Sequence, residues 1–170
     1  MLHLAHHLHP LETFDEHRIV LSVIHYFSEH FSAPITIPSL SGQLGISLLH
    51  IETAFDLYKG TTANEALLEY RLNRLCDVMS RDPSREIGKQ INECGLAFGS
   101  APARIAFCRT NQQFIDHFGI DLVEYHQQCF LAEAARLSRQ SVPGDEALNS
   151  EVFGDDPRRN VHPTRFHRQH

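Results

Sequence analysis

Apolar residues along the chain recur at three- and four-residue intervals, the period of a helix buried on one face. Val20, Val23, Ile24, Phe27 and Phe31 mark the first such face and predict a helix from about 16 to 30. The stretch Ala33-Pro34-Ile35-Thr36-Ile37-Pro38 interrupts it, because a proline disfavours the helical region for the residue before it. Thr36 then caps a short helix with Pro38 in its first turn and Leu40 and Leu44 facing inward, closed by Gly45. Ser47 starts the next helix, through Ile51, Ala54, Phe55 and Tyr58, which Gly60 stops.

Thr62 and Glu65 form a capping box ahead of a longer helix, about 62–80, with Leu68, Leu72, Leu75 and Met79 as its stripe. Asp82-Pro83 breaks that helix, and Ser84 is placed to cap another containing Ile87 and Ile91. Cys94-Gly95-Leu96 reads as a turn. Phe107, Phe114 and Phe118 predict a helix ending at Gly119, and Leu122, Tyr125, Cys129 and Leu137 a last one from about Asp121 to Arg139. No alternating strand pattern competes, so the expected fold is all-α.

Composition divides the chain into three zones: an arm at 1–17 holding His3, His6, His7, His9 and His17, the helical body at 18–140, and a tail at 141–170. The tail carries three prolines, mixed charges and little to bury, and is expected to be disordered. Hydrophobic residues make up 42% and charged residues 21%, the balance of a globular chain. No apolar run approaches the roughly 18 residues of a membrane span. The arm has no basic–apolar signal-peptide pattern, so the expected location is cytoplasmic.

Cys76, Cys94, Cys108 and Cys129 show no zinc-clamp or redox spacing and are expected to be small, mostly buried thiols. His3 with His7, and His6 with His9, share faces if the arm is helical, but no Cys or carboxylate completes a closed site. The histidines of the arm, and His162, His167 and His170 of the tail, therefore read as solvated. No phosphate loop, nucleophile elbow or zinc-protease helix is present. The chain is expected not to be an enzyme, and to need no metal or cofactor.

Two short helices joined at Gly45-Ile46-Ser47 have the form of a helix-turn-helix: a glycine for the turn, an apolar plug, and a serine to start the second helix. The longer pattern runs from Ile24-His25-Tyr26-Phe27 through Pro34-Ile35-Thr36, Leu44-Gly45-Ile46-Ser47, Gly60, Tyr70-Arg71-Leu72 and Asp82-Pro83-Ser84. It continues through Ile87, Cys94-Gly95-Leu96, Phe114, Phe118-Gly119-Ile120 and Glu124-Tyr125. This order and spacing resembles the DNA-binding domain of the AraC/XylS family of bacterial transcription regulators, over about residues 20–128.

The resemblance implies two helix-turn-helix subdomains joined by a long linker helix, each offering a recognition helix to a major groove of double-stranded DNA. It also implies a stand-alone version, because the residues before the first helix are too few for a sensing domain. Carried over by position, Ser47, Leu48, Leu49, His50, Glu52 and Thr53 lie nearest the bases in the first unit. The second recognition helix falls between Ala101 and Phe118 in one of two registers. One places Arg104 at the family's basic position; the other places Arg109, Thr110, Asn111, Gln112 and Gln113 on the reading face. The second is preferred, since Asn and Gln suit adenine and Arg suits guanine. Arg85 and Lys89 are expected to position phosphates.

Charge pulls the other way. The formal net charge is −6, and residues 20–130 hold eight Lys or Arg against twelve Asp or Glu. In the first recognition helix, Thr53 and Asp56, beside Glu52, stand where family members usually carry basic residues. The alternative reading keeps the scaffold but turns it to a protein, such as RNA polymerase or another regulator.

Overall fold

A computed structural model describes residues 15–97 and 102–140. The histidine arm up to residue 14, the tail from residue 141 and the segment 98–101 lie outside them. The described residues form seven α-helices and no strand. The all-α expectation is met. By contact they group into two units, one of 15–30 with Ile35–Ala66, the other of Phe31–Pro34 with residues from Leu67 onward.

The first unit holds α1 (Glu16–His30), α2 (Ile37–Leu44), α3 (Leu48–Lys59) and the opening turn of α4 (Ala63–Arg81). α1 packs along α3, and Val23, Phe27, Leu40, Ile51 and Phe55 are completely or almost completely buried. Burying a side chain of this kind is worth roughly 1.5–3 kcal/mol. The corner between α2 and α3 is fixed by local chemistry. Thr36 Oγ1 accepts from the Ser39 N–H at 3.3 Å, capping α2. Gly45 closes α2 at φ 65°, in the left-handed region that a side chain would strain. Ser41 Oγ then donates to the Ile46 carbonyl at 2.6 Å, and Ser47 Oγ accepts from the His50 N–H at 3.2 Å to start α3.

α4 opens on the predicted capping box: Glu65 Oε2 accepts from the Thr62 N–H at 2.9 Å, and Thr62 Oγ1 accepts from the Glu65 N–H at 3.2 Å. The helix continues into the second unit, with α5 (Ile87–Glu93), α6 (Ala103–Phe118) and α7 (Leu122–Gln140). Leu72, Leu75, Met79, Ile91, Phe114, Leu122 and Tyr125 form one core. The Phe114 ring lies 4.7 Å from Phe118 and 5.4 Å from Tyr125 between centroids.

Three details differ from the sequence expectation. Phe31, assigned to the face of α1, lies past its end in the second unit, against Tyr70 and under the Arg74 guanidinium. Arg71 holds that segment, donating to the Phe31 and Ala33 carbonyls at 2.9 Å each. Ser84 does not cap α5. Its hydroxyl donates to Asp82 Oδ1 at 2.7 Å, and α5 starts after Glu86 with no side-chain cap. Leu137, expected to face inward, is exposed.

Candidate nucleic-acid interface

α6 has two opposed faces. Ala106, Thr110, Phe114 and Phe118, four residues apart, make its buried stripe. Arg104, Cys108, Gln112 and Asp116 make the opposite stripe, with Ile105 and Arg109 beside it, all exposed. Arg104 and Arg109 are therefore on one continuous helix, about 7.5 Å apart along its axis and about 140° apart around it, toward the two edges of its solvent-facing side. Neither has a carboxylate partner among the described residues. The two registers read from the sequence thus share their arginines.

The preferred register is corrected at Thr110 and Asn111. Thr110 is completely buried, because four-residue spacing from Ala106 to Phe114 turns it into the core, and it reaches no base. Asn111 is occupied: its Nδ2 donates to Asp121 Oδ2 at 2.9 Å and its Oδ1 accepts from the Leu122 N–H at 2.8 Å. Asp121 Oδ1 in turn accepts from the Val123 N–H at 2.8 Å, so the pair caps α7. The Asn111 amide first, then the Val123 N–H, hold the Asp121 carboxyl below its ordinary value of 3.8. Asp121 two residues past Gly119 and three before Glu124 was the sequence signal for this cap, and it went unread. Gln113 is half-buried; Gln112 is exposed, its Nε2 donating to Asp116 Oδ1 at 2.8 Å.

The expected phosphate clamps are neutralised in place. Arg85 pairs with Glu93, and Lys89 Nζ lies 3.4 Å from Glu86 Oε2. Such exposed pairs are weak, about 0–1 kcal/mol, and open easily to a stronger anion.

α3 presents a different surface. Ser47, Leu48, Leu49, His50 and Thr53 are all exposed. The surface is mostly apolar: Leu49 is 73% and Leu57 67% exposed, eight residues apart on one side of the helix. Glu52 turns its carboxylate to the Ala63 N–H at 3.5 Å, Asp56 faces solvent, and Lys59 in the last turn is the one Lys or Arg of the helix.

The four thiols divide by burial. Cys76, Cys94 and Cys129 are buried; burial pushes Cys76 and Cys94 each up to about 12 and raises Cys129 as well. Cys108 differs, standing exposed on α6 between Arg104 and Arg109. No group of His, Cys, Asp or Glu among the described residues is arranged to hold a metal. No described helix is long and apolar enough to cross a membrane.

No family model and no curated protein matches the chain. A solved structure of a protein of unknown function from Listeria innocua is similar in fold, with a TM-score of 0.53 and 19% identity over 64% of this chain and 95% of that one. At that identity the likeness carries the helical architecture alone.

Proposed function

We propose that the chain is a DNA-binding transcription regulator of the AraC/XylS type, working in the cytoplasm, with α6 as the helix that enters the major groove of duplex DNA. The observation that carries this reading is the pair Arg104 and Arg109, exposed on one helix without a carboxylate partner among the described residues. An α-helix about 10–12 Å across fits a major groove about 12 Å wide. Two arginines some 7.5 Å apart on its axis supply one guanine-reading fork and one phosphate contact, or two forks. Gln112, on the same face, offers its amide to an adenine once it lets go of Asp116. Cys108 and Ile105 complete the surface and suit contact with a thymine methyl.

A second reading applies to α3, and Leu49 and Leu57 favour it. An apolar, acid-flanked helix face is a poor match to phosphate and a good one to protein, such as RNA polymerase or another regulator. Under this reading the two faces divide the work: α6 meets the nucleic acid and α3 a protein that acts on it.

Selection from random duplexes followed by gel shift tests the proposal at about 50 mM salt, where electrostatic attraction is strong. The expected result is one preferred sequence, lost in the variant carrying both Arg104→Ala and Arg109→Ala and kept in the variant carrying both Leu49→Ser and Leu57→Ser. Absence of any preferred duplex under these conditions would falsify it.

A further inference from the structure

α7 is a 19-residue helix of which only the first half is packed. Leu122, Tyr125 and Cys129 are buried, and no residue from Phe130 to Gln140 is. A surface helix in that position normally turns charged residues to water. α7 does not. Every exposed residue between Glu124 and Arg139 is uncharged: Gln127, Gln128, Phe130, Leu131, Ala132, Ala134, Ala135, Leu137 and Ser138. Phe130 is 51% and Leu131 59% exposed. The two charged residues inside that span, Glu133 and Arg136, are half-buried and pair with each other, Nε to Oε2 at 2.8 Å and Nη2 to Oε1 at 2.5 Å. Charge has been withdrawn from the face over about 21 Å of helix, as in the middle of a protein interface.

The placement of the remaining charges says what covers it. The acidic residues Asp121 and Glu124 are at the first turn, and Arg139 is at the last. Two copies laid parallel bring like ends together. Two copies laid antiparallel bring the acidic end of each beside the basic end of the other, and oppose their helix dipoles as well. Ala134, which lies between Phe130 and Leu131 around the helix, leaves room for close approach in the middle, where Phe130 and Leu131 of each copy fill the contact. The surface is complementary to itself, the requirement of a two-fold interface.

We propose that the chain forms a homodimer through the exposed faces of two antiparallel α7 helices, crossing near Phe130 and Leu131. The interface is small, so the expected dissociation constant is on the order of micromolar. It forms without DNA and does not depend on the reading of α6.

Sedimentation equilibrium of the full chain is expected to show a dimer at tens of micromolar. Leu131→Glu and Leu131→Lys are each expected to raise the dissociation constant at least about 30-fold, the effect of losing a central anchor. Mixing the two is expected to restore a heterodimer, which distinguishes loss of the interface from loss of the fold. Orientation is read in a Cys108→Ser background: chains bearing Gln127→Cys cross-link on oxidation to chains bearing Ser138→Cys, while the latter do not cross-link to themselves. A chain that stays monomeric at about 100 µM, far above the expected constant, overturns the proposal. So does a dimer that persists in Leu131→Glu, failure of the mixed pair to associate, or self-cross-linking at position 138.

Discussion

The corner made by α2 and α3 and the pair made by α5 and α6 end with helices of comparable build and opposite surfaces. α3 and α6 each bury one stripe, through Ile51, Ala54 and Phe55 in the first and Ala106, Thr110, Phe114 and Phe118 in the second. Each ends on a left-handed glycine, Gly60 or Gly119. What differs is the outward row, Leu49, Thr53 and Leu57 against Arg104, Cys108, Arg109 and Gln112. Burial sets the helix and leaves the outward row free, so partner chemistry can diverge while packing does not.

The comparison breaks most completely at the core. Phe114→Ala removes a fully buried ring and is expected to cost about 3–5 kcal/mol, read by thermal unfolding. Loss of DNA binding should follow from loss of the second unit, with the α1–α3 packing retained as judged by amide exchange. Survival of DNA binding in that variant would show that α6 is not the groove helix.

Asn111 sharpens the contrast between a positioning residue and a reading one. Asn111→Ala leaves the Leu122 N–H without its acceptor and is expected to cost about 1–2 kcal/mol, against under about 0.5 kcal/mol for Gln112→Ala. If Asn111→Ala instead keeps full stability and changes the preferred base sequence, Asn111 reads DNA after all. The same cap has a pH signature. Asp121 has a carboxyl held low in the folded state, so its contribution is complete above the unfolded value and fades as pH falls through the lower, folded one. Urea titrations across the acid range are expected to lose that slope in Asp121→Asn.

Smaller effects follow on the surface. Arg104→Ala and Arg109→Ala together should leave stability within about 0.5 kcal/mol. Each should lower the salt slope of DNA binding by about one where it contacts a phosphate. Thiol titration of the native chain should find one fast cysteine, Cys108, and three that react only on unfolding, since Cys76, Cys94 and Cys129 are buried with raised thiol pKa values. Fast reaction of a second thiol would mean that the second unit opens readily.

Helix boundaries were legible because their causes are local. Thr36, Ser47 and the Thr62–Glu65 pair act on amides a few residues away, and Gly45, Gly60 and Gly119 adopt the one backbone state that glycine favours. Ser84 misled because its neighbour Asp82 offers a nearer acceptor than any cap geometry does. The outward face of α6 was only half legible. Arg104, Arg109 and Gln112 point outward as their polarity suggests, but Thr110 and Asn111 were assigned by hydrogen-bonding capacity, which does not reveal direction. The place of Thr110 follows the four-residue stripe from Ala106 to Phe114, while that of Asn111 depends on Asp121 and Leu122 at the start of the next helix, a relation that no local pattern encodes. The uncharged row on α7 was in the letters too, yet periodicity counted Leu137 as core because it cannot tell one apolar side of a helix from two.

The Asn111–Asp121–Leu122 bridge also acts as a torsional stop. A helix held only by rounded apolar side chains can roll about its long axis by sliding one ring past another. Here a roll of α6 in either direction pulls the Asn111 amide off two partners at once, one a carboxylate and the other a main-chain amide. The directions in which Arg104 and Arg109 leave the helix are thereby fixed by the fold, and the guanidinium groups can change rotamer without dragging a helix with them.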